Sequence, residues 1–173
     1  TENAIPLPKT AFAGKTVIVI GDDDSQGAGG QVVLYVSNTV GDLENGKLYV
    51  MARTDNKTTE TDMQVGQKVN VEFREITNPR TLAPTDFNTK AKDLSAIAFG
   101  RTEDIDYRKG GGSNGREIYF TVTGQAVKDA NADGSRTQYG RVYRFIFDAN
   151  TPIIGQLECV LNGVDTSSPA SAF

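Results

Sequence analysis

At 173 residues, 38% of them hydrophobic and 23% charged, the chain has the composition of one globular domain, which at this size buries roughly 70% of its unfolded surface. A net charge of −4, with basic residues scattered rather than gathered, argues against a nucleic-acid partner, and no run reaches the roughly 18 apolar residues of a membrane-spanning helix. Histidine is absent, which excludes Ser-His-Asp and Cys-His catalysis and imidazole-based zinc sites.

Period-two alternation begins at "TVIVIG" (16–21) and returns at "QVVLYVS" (31–37), "KLYVMAR" (47–53) and "KVNVEFREI" (68–76), each bounded by Gly, Asn or Asp. These read as four strands of a meander covering 15–76. The stretch 77–100 reads as a linker: Pro79 and Pro84 break any strand, while Phe87, Ala91, Leu94 and Ala98 fall at helical spacing. A short helix is expected near 85–98, capped by Thr85 or Asp86.

A second meander follows over 101–163, with strands at "DIDY" (104–107), "EIYFTVTG" (117–124), "RVYRFIFD" (141–148) and "QLECVLNG" (156–163), and 164–173 forms a tail. The two sets share a layout of Gly-ended strand, acidic loop, Gly-led strand, turn and Gly-led strand. That repeat predicts an all-β, β-propeller-like domain of about two four-stranded blades packed face to face. Two blades do not close a ring, and an eight-stranded β-sandwich fits the same strand count. The single cysteine, Cys159, lies in an alternating strand and reads as a core thiol.

Without histidine, chemistry falls to carboxylates, Arg, Lys, Tyr, Ser/Thr or a bound metal, and three acidic clusters stand at strand ends. Asp22, Asp23 and Asp24 are adjacent, so they repel one another unless a cation or hydrogen-bond donors neutralise them; the choice is between a solvated hairpin loop and a calcium site. "DANADG" supplies Asp129, Asn131, Asp133 and Gly134 in the opening pattern of a calcium loop, but its twelfth position is Gly140, which excludes an EF-hand and leaves a weaker calcium loop or an Asx turn. In "FGRTEDIDY" (99–107), strand geometry puts Glu103 beside Arg101 and Ile105 and opposite Asp104. Glu103 and Arg101 then form either a surface ion pair or a metal ligand next to a phosphate-binding guanidinium.

The ordered set "IAFGRTEDIDY", "REIYFTVTG", "YGRVYRFIFD" and "GQLECVLNG", with "VIVIGDDDSQGAGGQVVLYVSN" and "LENGKLYVM" upstream, resembles the PhoX-type secreted alkaline phosphatases from about residue 15 to 163. The resemblance implies a propeller, export to a periplasmic or extracellular location, calcium dependence, and an iron and calcium centre that hydrolyses phosphate monoesters. It makes Glu103 a metal ligand, with Thr102 standing where the family has proline. The family's other metal carboxylates, its metal-binding cysteine and its catalytic arginine have no matching motif here, so the chain resembles a portion of such an enzyme, inactive alone. Its partners are then the remaining blades of a longer chain. The blunt start at Thr1 is expected of a mature exported chain. The alternative is an extracellular, calcium-stabilised assembly module whose exposed strand edges pair with neighbouring copies.

Overall fold

All eight alternating stretches form strands in the computed structural model, which describes residues 2–110 and 112–163, the side chain of Pro84 excepted; the expected 164–173 tail lies outside the described residues. The elements are β1 (Asn3–Pro6), β2 (Thr16–Asp22), β3 (Gln31–Ser37), β4 (Lys47–Arg53), β5 (Lys68–Ile76), α1 (Pro84–Asp93), β6 (Thr102–Tyr107), β7 (Glu117–Val122), β8 (Arg141–Phe147) and β9 (Ile154–Asn162). β1 was not apparent from alternation. It forms because β2 offers it an edge, pairing Asn3 with Gly21 and Pro6 with Ile18, and an edge strand tolerates a proline that cannot donate a hydrogen bond.

The all-β class and both meanders are as expected, but they meet differently. Rather than stacking as separate blades or as the two sheets of a sandwich, they join edge to edge. Lys68–Glu72 of β5 pair antiparallel with Ile154–Glu158 of β9, giving among the described residues one nine-stranded sheet in the order β1-β2-β3-β4-β5-β9-β8-β7-β6. Each meander has one apolar face, as in the alternating burial of β2 and β8. Coiling the joined sheet lets one interior bury both faces, the solution of a barrel. That interior is filled by side chains from nearly every strand. Phe99, Phe120 and Tyr143 lie with ring centroids 5.1–5.3 Å apart, and Phe73 meets Phe145 edge-on at 5.5 Å. Cys159 is fully buried there, and burial pushes its thiol up to about 11, so it is the core thiol the sequence indicated.

The barrel nearly closes where β6 comes against β1 and β2. Asn3 Nδ2 donates to the Ile105 carbonyl at 3.2 Å. The backbone approach is so close that a Cβ on Gly21 would fall 2.6 Å from the Glu103 carbonyl, and one on Gly30 would fall 2.4 Å from the Thr102 nitrogen. Helix α1 packs outside this barrel. Phe87, Ala91 and Leu94 cover Val33, Val50 and Ile76 on the outer face of β3, β4 and β5. The cap falls two residues before Thr85: Ala83 is the N-cap and Pro84 opens the first turn, where its fixed φ suits the helix and its missing N–H is not needed. The helix also stops at Asp93, short of the expected 98, because Ala96 and Ala98 are in extended bridges to Ala52 and Thr59.

Candidate functional site

The antiparallel registers bring residue 2, the β2–β3 loop, the β4–β5 loop, the approach to β6 and the β7–β8 loop to one end of the barrel. At its seam, Glu2, Asp23 and Glu103 place carboxylate oxygens within 4.8 Å of one another. Arg101 lies among them. Its Nε and one terminal nitrogen donate to the two Asp23 oxygens at 3.1 and 2.9 Å, and the same terminal nitrogen is 3.2 Å from Glu103 Oε1. This side-on fork is the geometry by which a guanidinium holds an anionic group. The acids around it, Asp23 foremost, raise the Arg101 pKa.

Two backbone features aim these groups. Arg101 sits at φ +69°, a left-handed conformation that costs a non-glycine residue about 1 kcal/mol. Its N–H bonds to Phe99 and its carbonyl accepts Thr123 N–H, which holds it there. Strain of this kind is a pointer to function when seen in a structure. The register of β6 against β7 then slips between Thr102 and Ile105, a bulge. Thr102 and Ile105 both point inward and Asp104 is exposed. Glu103 therefore does not share a face with Ile105, as simple alternation implied; the bulge turns it to the seam, where Thr123 Oγ1 donates to its carboxylate.

The other candidates disperse. Asp24 accepts Gln26 N–H at 2.7 Å and Asn88 Nδ2 at 2.6 Å, fastening its loop to α1. Asp22, with Asp23 and Asp24, lines the rim of a cleft of about 410 Å³ between α1 and the sheet. Asp106 accepts from Lys109 at 2.6 Å and from Tyr107 N–H, a turn support. In "DANADG" the side chains of Asn131 and Asp133 bond to the backbone of their own loop. Asn131 is fully buried, with Oδ1 accepting Arg136 N–H and Nδ2 donating to the Gln125 and Arg136 carbonyls. Asp133 accepts Ser135 N–H, which holds its carboxyl below the usual range, and Asp129 opens a short 3-10 turn. The loop is an Asx-type turn organised around a buried amide.

One constellation was not legible beforehand. Glu60, from the β4–β5 loop, is fully buried. Its Oε2 accepts Gly100 N–H at 2.8 Å and Thr137 N–H at 2.9 Å, and its Oε1 accepts the Tyr143 hydroxyl at 2.9 Å. Arg141 donates to the Glu60 carbonyl, the Met63 carbonyl and the Tyr143 oxygen. Burial outweighs these donors and pushes the Glu60 carboxyl above its ordinary range. Every polar partner is internal, so the group ties three loops together at the barrel end. The only sequence trace of it is the inward phase of Arg141 and Tyr143 on β8.

Compared with protein-family models, curated proteins and solved structures, the chain finds no match. Among the described residues no helix is long and apolar enough to cross a membrane.

Proposed function

We propose that this chain is a calcium-binding portion of a PhoX-like phosphatase acting on phosphate monoesters in an exported setting, with Glu103 as a metal ligand and turnover dependent on further segments. The observation that carries this reading is the meeting of Glu103, the position singled out by the motif resemblance, with Glu2 and Asp23 from elements far away in sequence. Three carboxylates against one guanidinium leave two net negative charges at the seam, which matches a divalent cation. The donors are all oxygen, the preference of calcium, and include no thiolate of the kind that favours softer metals. When bound, the cation supplies positive charge to phosphate oxygens. Arg101 supplies the rest: its fork, now on Asp23, has the geometry to hold a phosphate in the same bidentate way.

The assembly alternative has less to draw on. The two edge strands of the described sheet, β1 and β6, lie against each other across the seam, which leaves little open edge for a neighbouring strand.

Calcium titration followed by calorimetry and by thermal denaturation tests the proposal. Calcium should raise the melting temperature of the wild type by several degrees, and Glu103→Gln should abolish the rise. A wild-type protein indifferent to calcium would overturn it. In a phosphomonoesterase assay with calcium and iron added, the 173-residue chain is expected to be inactive, and robust turnover would show that the residues needed are all present here.

A further inference from the structure

On the outer face of the barrel, α1 covers the sheet incompletely. Pairing sets Ile20 of β2 opposite Val33 of β3, and Val33 opposite Val50 of β4, so three apolar side chains stand in a row across that face. The row is fully buried at Val50 and only half-buried at Ile20. Leu48 and Phe87, also half-buried, flank the opening. The result is the cleft of about 410 Å³ between α1 and the sheet, whose volume falls in the range of small-molecule sites.

The rim of the cleft carries one sign of charge. Asp22, Asp23 and Asp24 line it, and among the described residues no basic side chain does. Arg101 answers Asp23 from the seam. Asp24 differs, because its two oxygens accept neutral donors, Gln26 N–H at 2.7 Å and Asn88 Nδ2 at 2.6 Å. Arg136 and Lys92 stand on the far side of the glycine-rich loop, where Arg136 feels the Asp24 charge without touching it. Asp24 is thus hydrogen-bonded but not neutralised. A carboxylate offers about four acceptor sites, and these bonds take two of them.

An apolar floor under an acidic rim matches a ligand that is apolar at one end and cationic at the other, and repels anions. We propose that this cleft binds a small organic ammonium, an apolar body of about one aromatic ring carrying a protonated amine. The body takes water from Ile20, Leu48 and Phe87, with the Phe87 ring as an aromatic partner, and the ammonium donates to the Asp24 carboxylate. This reading does not depend on calcium at the seam. The two sites share only Asp23, whose oxygens Arg101 holds, and the partner of the ammonium is Asp24.

The test is titration of the full chain with phenethylamine, followed by calorimetry and by amide proton and nitrogen shifts, with phenethyl alcohol as the uncharged counterpart and hydrocinnamate as the anionic one. Shifts should gather at Ile20, Val33, Leu48 and Asn88. The alcohol should bind about tenfold more weakly than the amine, the difference between a neutral and a charge-assisted hydrogen bond, and hydrocinnamate should not bind. Asp24→Asn, which keeps the shape of the side chain, should weaken amine binding by about tenfold. Ile20→Lys, at a half-exposed position on the outer face, sets an ammonium of its own in the cleft and should abolish it. Glu103→Gln should leave it unchanged. No amine binding, alcohol or hydrocinnamate binding as tightly as the amine, or amine binding lost in Glu103→Gln but kept in Asp24→Asn would each overturn the proposal, whereas a failed calcium titration would leave it standing.

Discussion

Two carboxylate and guanidinium constellations occupy the same end of the barrel, and they differ in nearly every physical respect. Around Glu60 both carboxylate oxygens accept internal donors, and Arg141 spends its own donors on backbone carbonyls and Tyr143. Around Glu103 the Arg101 side chain is 38% exposed, Glu2 is exposed, and the acids outnumber the cation. The buried group is closed to solvent and met on both oxygens from inside, whereas the seam group has spare oxygens and a solvent path. What separates scaffold from candidate site here is unmet valence, not the kind of residue.

The largest effect that can break this contrast is at Glu60. Replacing it by Ala strands the Gly100 and Thr137 amides and the Tyr143 hydroxyl, and urea denaturation should show a loss of about 3–5 kcal/mol; a loss under about 1 kcal/mol would remove the distinction. Next comes the seam itself. Gly30→Ala drives a Cβ onto backbone at Thr102, for which about 1–3 kcal/mol or more is expected; under the proposed calcium reading, binding should weaken alongside because Glu103 is displaced. Arg101→Gly should be close to neutral in the same denaturation, since an exposed ion pair worth under about 1 kcal/mol is exchanged for relief of the positive φ. A loss there as large as that of Glu60→Ala would mean the seam is structural.

The smallest effects are in pH. The folded-state pKa of Glu60 is raised, so the folded state binds its proton more tightly than the unfolded state. That contribution is complete below the ordinary value of 4.5 and is lost as pH rises through the raised folded value; Glu60→Gln should flatten this part of the stability profile. Asp42 has the opposite sign. Ser37 and the Glu44 and Asn45 amides hold it at about 2 instead of 3.8, so its contribution is present above 3.8 and fades as pH falls through about 2. Asp42→Asn should remove that acid limb, and an unchanged acid limb would show that Asp42 gains nothing on folding.

Strand positions were largely legible because alternation is a local signal: β3, β4 and β5 span the residues that their apolar phase marks. The joining of the meanders was not, since β5 meets β9 across more than 80 residues and either edge could equally have faced a neighbouring blade. The helix was located by Phe87, Ala91 and Leu94, but its start was set by Pro84 and not by a capping side chain, and Ala98, which shares their spacing, lies beyond its end at Asp93 in a bridge to Thr59. At the seam, motif reading reached Asp23, Glu103 and Arg101 but not Glu2, which joins the cluster only once β1 has paired. Asn131 shows the converse: its spacing suits a calcium loop, yet its amide is taken up by the backbone of its own turn. Glu60 left no local pattern because its partners come from positions 100, 137, 141 and 143.

The seam also has a kinetic meaning. Each meander can form from hairpins close in sequence, but the bond from Asn3 to Ile105 closes a loop of about a hundred residues, and contacts of that kind are slow to assemble. Glu2, Asp23 and Glu103 converge only after β6 has docked on β1 and β2, so the cluster is absent from partly folded chains. If the seam takes calcium as proposed, refolding followed by calcium uptake should lag behind refolding followed by backbone signals, and a metal-sensitive probe would time the last step by which the barrel becomes complete.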